Sequence, residues 1–182
     1  MARRAQRRLA GGVSHRNRCK SGRAPEGRKN LPNTMSSTHT SLHYHINLSI
    51  KDRVPAMVVS WRERLHAYMG GVVRNIDGVA ETIGGVADHV HLLISLNANH
   101  CLADAVRDVK SVSSRWVHEE IGLRNFAWQE GYGAFTVSPS QRGKITEYIN
   151  QQEKHHRRRT FQQEYVTLLE KSGIEFEEKY LW

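Results

Sequence analysis

The stretch Ala87–Leu96 restricts what this chain can fold into more than any other segment. Apolar residues in it alternate with polar ones: Val90, Leu92, Ile94 and Leu96 against His89, His91 and Ser95. A β-strand with this period points both imidazoles to one face and the apolar side chains to the other. We therefore predict a half-buried strand here.

The two histidines are candidate metal ligands. Two imidazoles roughly 7 Å apart at their Cβ atoms can converge on one divalent metal if a third ligand arrives from elsewhere. Spacing alone fits a strand with two exposed histidines equally well, so the choice depends on a second element.

That second element is Ser140–His156, which follows Pro139 and contains no internal proline. The pattern predicts one helix, on which Tyr148 and Gln152 stand four residues apart and project side by side. One side chain could then attack a phosphate while the other binds its metal. The alternative is a surface helix whose tyrosine packs by its ring.

Taken together, these residues resemble the HUH single-tyrosine transposases, the small enzymes of hairpin-ended insertion sequences and their repeat-associated relatives. The matching pattern is His89-Val90-His91 on a strand, followed by Tyr148 and Gln152 on a distal helix. The resemblance covers roughly residues 41–182. Further matching stretches are Tyr44-His45-Ile46, Lys110-Ser111, Ser113-Ser114-Arg115-Trp116, Gly131-Tyr132-Gly133-Ala134-Phe135, His155-His156 and Tyr180-Leu181-Trp182.

The resemblance implies a transposase that cuts and rejoins single-stranded DNA beside hairpins, in a homodimer. Tyr148 would be the nucleophile that forms a 5′-phosphotyrosine, and His89, His91 and Gln152 would hold the metal. Imidazole and amide ligands with open positions suit Mg²⁺ or Mn²⁺. Candidate DNA contacts are His45, Lys110, Ser113, Arg115, His155, His156, Arg157 and Arg158.

The order of patterned segments predicts an α+β fold, a ferredoxin-like antiparallel sheet with helices on one face and an added C-terminal helix that carries the tyrosine. The predicted elements before that helix are a strand over 42–50, a helix over 55–69 closed by Gly70-Gly71, a strand over Val79–Ile83 that turns at Gly84-Gly85, the His-Val-His strand, a helix over Leu102–Ile121 and a strand over Tyr132–Val137. We expect the site on the open, polar face of this sheet, with His43 merely exposed.

The basic excess of the chain lies in its first 34 residues. They hold ten Lys or Arg against Glu26, and the whole chain has a net charge of +9. We therefore predict a neutral domain over 35–182, after a basic, disordered extension over 1–34. The extension could be an arm that binds phosphates, an organellar targeting peptide, or translated upstream sequence before a start at Met35.

Two alternatives to a transposase remain open from the sequence. One is a domesticated relative that nicks repeat hairpins by the same chemistry, and the other is a ferredoxin-like nucleic-acid-binding module without chemistry. No apolar run approaches the roughly 20 residues of a membrane span, and no secretory signal is visible. We therefore expect a cytoplasmic protein.

Overall fold

Four antiparallel strands form the sheet in this computed structural model, which describes residues 39–156, 160–177 and 181. The strands are β1 (His43–Ser49), β2 (Val79–Gly85), β3 (His89–Ser95) and β4 (Gly133–Val137), in the spatial order β2-β3-β1-β4. One helix connects β1 to β2 and another connects β3 to β4, so the order along the chain is that of a ferredoxin-like fold. The predicted fold class is confirmed.

Helices α1 (Val59–Asn75) and α2 (Leu102–Trp116) cover the apolar face of the sheet, and α2 ends in a π-helical turn, Val117–Ile121. Inward-facing strand residues meet the buried faces of both helices in one core. Its largest fully buried members are Leu48, Met57, Leu65, Met69, Leu92 and Ile94.

Two predicted boundaries are wrong. Helix α1 starts at Val59 and runs through Gly70 to Asn75, because the residues after the two glycines, Val72 and Val73, are buried in the core. Gly84 and Gly85 belong to β2, so the chain reverses after them, before β3 begins at His89.

Three helices lie after β4: α3 (Arg142–Asn150), α4 (Gln152–His156) and α5 (Phe161–Lys171). The predicted continuous helix over Ser140–His156 is therefore interrupted, with a 3-10 turn at Pro139–Gln141 and a break at Gln151. Helix α3 contacts β2 and β3, and α5 brings Phe161 against the ring of His89. These helices cover the polar face of the sheet. Our expectation of an open polar face is therefore wrong.

In the part of the chain that the structure describes, no helix combines the length and apolarity of a membrane span. The extension over 1–34 lies outside the described residues, so its predicted disorder stays a prediction.

Candidate active site

Four polar side chains of β1 and β3 form the floor of the site. His91 pairs with Asn47 across the two strands, and His45 and His89 lie on the same face two residues along their own strands. Their exposed fractions are 2% for His45, 3% for Asn47, 0% for His89 and 1% for His91. Buried polar groups of this kind need partners, because each unpaired one costs about 1–3 kcal/mol.

The partners of His91 fix which of its nitrogens can bind a ligand. Its Nδ1 lies 2.6 Å from Oδ1 of Asn47 and 3.0 Å from Nε2 of His45. Because an amide oxygen only accepts hydrogen bonds, Nδ1 carries the proton and Nε2 keeps its lone pair. This Nε2 is buried and has no hydrogen-bond partner among the described residues.

His89 has the same arrangement with a carboxylate behind it. Its Nδ1 lies 2.7 Å from Oδ1 of Asp88, and Asp88 also accepts a hydrogen bond from Arg53 at 2.5 Å. Burial alone would raise the pKa of Asp88, but the hydrogen bond to His89 and the positive charge of Arg53 outweigh it and lower that pKa. The carboxylate therefore holds the proton on Nδ1 and leaves Nε2 of His89 as a lone-pair donor.

Gln152, the first residue of α4, brings an oxygen to His89. Its Oε1 lies 3.4 Å from Nε2 of His89, and its Nε2 donates to the carbonyl of Tyr148 at 3.3 Å, which fixes the orientation of the amide. The side chain of His156 closes this group, with its Nε2 3.1 Å from Nε2 of His89 and 3.1 Å from Oε1 of Gln152.

Tyr148 stands beside the histidines on α3. Its ring meets His91 edge-on at 5.4 Å between centroids and His45 at 5.9 Å. Its hydroxyl donates to Oε2 of Glu164 at 3.1 Å. Burial raises the pKa of the phenol, a hydrogen bond with Gln152 lowers it, and the Glu164 carboxylate raises it further, so the net shift is upward. Tyr148 is therefore protonated at neutral pH.

A glycine in β2 sets how closely the tyrosine helix lies on the sheet. Gly84 pairs with His91, and a Cβ at this position would lie 2.8 Å from the carbonyl oxygen of Ile149. Real Cβ atoms essentially never approach backbone so closely. Only glycine at this position therefore allows α3 to pack this closely on the sheet.

Helix α5 covers the site from outside. Its first turn is fixed by a capping box between Thr160 and Gln163. The ring of Phe161 lies 4.3 Å from that of His89, between centroids, and the guanidinium of Arg53 lies 3.8 Å over it. Tyr165 stacks on Phe161 at 5.4 Å. This cover explains why the histidines are buried.

Burial keeps the imidazoles of His45 and His91 neutral. It lowers the pKa of His45 to about 4 and holds the pKa of His91 well below its ordinary value, where the neighbouring His89 and His45 lower it further. The pKa of His156 is also lowered, first by burial and then by His89. Neutral imidazole is the form that binds metals.

The donor set fits a divalent cation. Nε2 of His91 is a buried lone pair without a partner, and Nε2 of His89 faces an amide oxygen that can only accept, so both sites suit a cation better than a proton donor. Among the described residues, no group of three His, Cys, Asp or Glu is arranged to hold a metal ion. The predicted set is His89, His91 and Gln152. It lies outside this criterion because glutamine is not one of the four residue types.

A cleft of about 610 Å³ opens beside Tyr148. It is lined by His45, Gln141, Lys144, Ile145, Tyr148, His155, Glu164, Thr167, Leu168 and Lys171. Two lysines and His155 thus line the same cleft as Tyr148, which suits an anionic chain.

The structure separates the predicted DNA contacts into three groups. His155 and His156 lie at the site, and His45 does too, but it is buried and borders the cleft only from below. Lys110, Ser113 and Arg115 stand on α2, which covers the opposite face of the sheet. Arg157 and Arg158 lie outside the described residues.

Two sequence predictions need correction, one of a DNA contact and one of an exposed histidine. Ser113 is fully buried and accepts a hydrogen bond from the indole of Trp128 at 2.9 Å, so it is a core residue rather than a DNA contact. His43, expected to be exposed, is half-buried and lies 2.5 Å from Oε1 of Glu81. Lys110 donates to the carbonyls of Gln129 and Glu130 and holds that loop.

Sequence reasoning missed the residues that support the floor: Asn47, Arg53, Asp88, Phe161 and Glu164. Asn47 had a signal, because it continues the alternation of His43 and His45 along β1. Asp88 directly precedes His89, which is the place for a carboxylate that orients a ligand. Arg53, Phe161 and Glu164 come from distant segments and had no local signal.

The family follows from a comparison of sequences. Residues 38–152 match the family model described as "Transposase IS200 like", which covers the sheet, the histidine pair, the tyrosine and the glutamine. The chain belongs to the IS200-like transposases, a family of enzymes that cleave DNA.

Similar proteins agree with this family. The ISDra2 transposase TnpA of Deinococcus radiodurans is 27% identical over 118 residues, which cover 61% of this chain and 84% of that protein. The crystal structure of a candidate transposase from Deinococcus radiodurans R1 superposes with a TM-score of 0.52 at 22% identity, and the match covers 69% of this chain and 98% of that one. A REP-associated tyrosine transposase bound to a REP hairpin gives a TM-score of 0.51 at 15% identity, over 67% and 74% of the two chains.

Proposed function

We propose that this transposase cleaves and rejoins single-stranded DNA beside hairpins through a 5′-phosphotyrosine on Tyr148, with a divalent metal held by His89, His91 and Gln152. The observation that carries the proposal is the convergence of these side chains on one buried floor. The phenol of Tyr148 lies edge-on to His91, and Gln152, one turn later, faces His89.

The metal would bind Nε2 of His89, Nε2 of His91 and Oε1 of Gln152. Asn47 and Asp88 support this, because they hold the protons of both histidines on Nδ1 and leave the other nitrogens free to coordinate. A bound Mg²⁺ or Mn²⁺ would supply Lewis acidity at a non-bridging phosphate oxygen.

Tyr148 supplies the nucleophile. Its oxygen forms a bond to the phosphorus, the bond from phosphorus to the 3′-oxygen breaks, and the 3′-oxygen leaves as a hydroxyl after it takes up a proton. A protonated phenol is a poor nucleophile, so its proton must have an acceptor. Oε2 of Glu164 already accepts a hydrogen bond from that hydroxyl, and we assign the proton to this atom.

Rejoining reverses these bonds. A free 3′-hydroxyl loses its proton and attacks the phosphotyrosine, the bond from phosphorus to the tyrosine oxygen breaks, and the phenol takes up a proton, so that the two proton transfers balance. One phosphodiester-like bond replaces another throughout, so the chain needs no nucleoside triphosphate for this reaction.

The cleft beside Tyr148 is the proposed path of the DNA strand. Lys144, His155 and Lys171 line it and can contact phosphates as the strand approaches the phenol. A hairpin as the partner is supported by the REP-associated transposase, whose structure contains one.

The homodimer stays a prediction, and in it the tyrosine helix of one subunit could complete the site of the other. Within this one chain the ring of Tyr148 lies beside His91, and Gln152 faces His89. A repeat-hairpin nickase would use the same residues, and hairpin ends that flank the gene would distinguish a mobile element from it.

The proposal is tested by incubating the protein with end-labelled single-stranded hairpin DNA, with Mg²⁺, with Mn²⁺ and with chelator. A covalent protein–DNA adduct on a denaturing gel, formed only with metal, is the expected result. Binding of the hairpin without any cleavage would instead favour the module without chemistry.

A further inference from the structure

Three donor atoms from three side chains form a small triangle at the edge of the site. Nε2 of His89, Oε1 of Gln152 and Nε2 of His156 are separated by 3.4 Å, 3.1 Å and 3.1 Å. His89 comes from β3, whereas Gln152 and His156 come from the first and last residues of α4. Because they are four residues apart, the two α4 side chains share one face of that helix.

The edges of this triangle are those expected of ligands around one metal. Bond lengths of about 2.1 Å to nitrogen or oxygen place neighbouring ligands about 3.0 Å apart in an octahedron and about 3.4 Å apart in a tetrahedron. All three measured separations lie in this interval.

A hydrogen bond is the competing explanation, and the protons can be followed. Nε2 of His89 is a lone pair because Nδ1 donates to Asp88, and Oε1 of Gln152 only accepts. If Nε2 of His156 carried a proton, that one proton would face three acceptors, Nε2 of His89 and Oε1 of Gln152 at 3.1 Å each and Oε2 of Glu164 at 3.5 Å. If Nε2 of His156 is also a lone pair, three electron-pair donors face one another, an arrangement that a bound cation would stabilise.

We propose that His156 is a further protein ligand of the catalytic metal, beside His89 and Gln152. This inference rests on the metal site of the proposed function and adds a residue to it. With His91 the site would offer three imidazole nitrogens and one amide oxygen. Because no three of the described histidines are already arranged as a metal-binding group, the ion would have to draw these imidazoles together. Such a nitrogen-rich set binds Mn²⁺, Co²⁺ or Zn²⁺ more tightly than Mg²⁺.

The neighbouring histidine supplies a matched control. His155 lies beside Tyr148, with 5.3 Å between ring centroids, and it lines the cleft rather than the triangle. Replacing His155 by alanine therefore changes the same segment and removes the same type of side chain, without removing a vertex.

The test measures metal binding directly on the full-length protein. Mn²⁺ and Co²⁺ are titrated calorimetrically into the wild type and into His156→Ala, His156→Gln, His155→Ala and His89→Ala, and the visible spectrum of bound Co²⁺ is recorded. We expect His156→Ala to weaken binding at least tenfold, since even the loss of groups that only orient ligands costs about 10–100-fold. His155→Ala should bind as the wild type does.

His156→Gln separates a ligand from a hydrogen-bond donor. Glutamine can still donate to Gln152, so wild-type affinity together with an unchanged Co²⁺ spectrum in this variant would overturn the proposal, as would unchanged or tighter binding by His156→Ala. A changed spectrum with weaker binding supports it. If His89→Ala also binds as tightly as the wild type, the metal site itself is refuted, and the two failures are thereby distinguished.

Discussion

The hydroxyl of Tyr148 donates to Oε2 of Glu164 at 3.1 Å, so the proposed nucleophile is already paired with a proton acceptor from another helix. Glu164 lies in the first turn of α5, whose start is fixed by the capping box at Thr160. The same carboxylate lies 3.5 Å from Nε2 of His156. One residue of α5 therefore connects the tyrosine to the proposed metal ligands.

Replacing Glu164 by glutamine should slow DNA cleavage by about a hundredfold, the lower range of a general base, while hairpin binding is retained. The amide keeps an oxygen near the phenol but takes up no proton. Single-turnover cleavage and electrophoretic binding measure the two effects. Glu170→Gln, an exposed position on the same helix, is the control. Faster cleavage by Glu164→Gln would mean that the contact restrains Tyr148 instead of activating it.

Replacing Gly84 by alanine should lower both stability and cleavage. The added Cβ would meet the carbonyl of Ile149 at 2.8 Å, so α3 must shift from the sheet and carry Tyr148 away from His91. Overpacking of this kind costs about 1–3 kcal/mol in the free energy of unfolding. Urea unfolding and the cleavage rate are the measurements.

Gly143→Ala provides the comparison on the helix itself. A Cβ at Gly143 meets nothing within 4 Å, so this change should stabilise the protein by roughly 0.5–1 kcal/mol through helix propensity. Equal effects of Gly84→Ala and Gly143→Ala on stability and cleavage would show that the close packing of α3 on Gly84 is unimportant.

His89→Ala and His91→Ala should each abolish metal-dependent cleavage and also destabilise the fold. Because both side chains are buried, their loss leaves Asp88 or Asn47 with an unpaired group, at a cost of about 1–3 kcal/mol. His43→Ala removes only a half-buried contact with Glu81, so it should cost less than about 1 kcal/mol and keep cleavage. Wild-type cleavage and metal dependence in either His89→Ala or His91→Ala would contradict the metal assignment.

The strand signal in the sequence was strong, and the burial of its polar face had no signal there. Alternation around His89 and His91 predicts their common face because the strand period is a local property. Their burial depends on Phe161 of α5, about seventy residues away, which packs on His89 only once the chain has folded. Local patterns do not contain such tertiary contacts.

Glycine was the least reliable guide to boundaries. Gly70-Gly71 has the composition of a helix end, yet α1 continues because Val72 and Val73, which follow, are buried in the core. The Tyr148 and Gln152 spacing was informative even though the helix breaks between them, since the carbonyl of Tyr148 still holds the amide of Gln152. The supporting groups, Asp88 above all, were recognisable only beside their partners.

The stability of the protein should fall as the pH drops below about 6.5. Burial, followed by the charge of Arg62, lowers the pKa of His66 to about 4, below its ordinary value of 6.5. Between these values the unfolded chain binds a proton that the folded chain does not, so the free energy of unfolding rises with pH there and is highest above the window. His66→Leu should flatten this dependence by an amount on the order of 3 kcal/mol. Parallel pH profiles of wild type and variant, measured by urea unfolding, would count against this.

The covalent adduct of Tyr148 is the most direct test of the central claim. The wild type and Tyr148→Phe are each incubated with labelled single-stranded hairpin DNA and Mn²⁺, and the products are separated on a denaturing gel. Phenylalanine keeps the ring contacts with His91 and His45 and removes the oxygen proposed to attack phosphorus. We predict an adduct with the wild type, and hairpin binding without adduct or cleavage with Tyr148→Phe. An adduct formed by Tyr148→Phe would contradict the account and turn attention to Tyr132 and Tyr165.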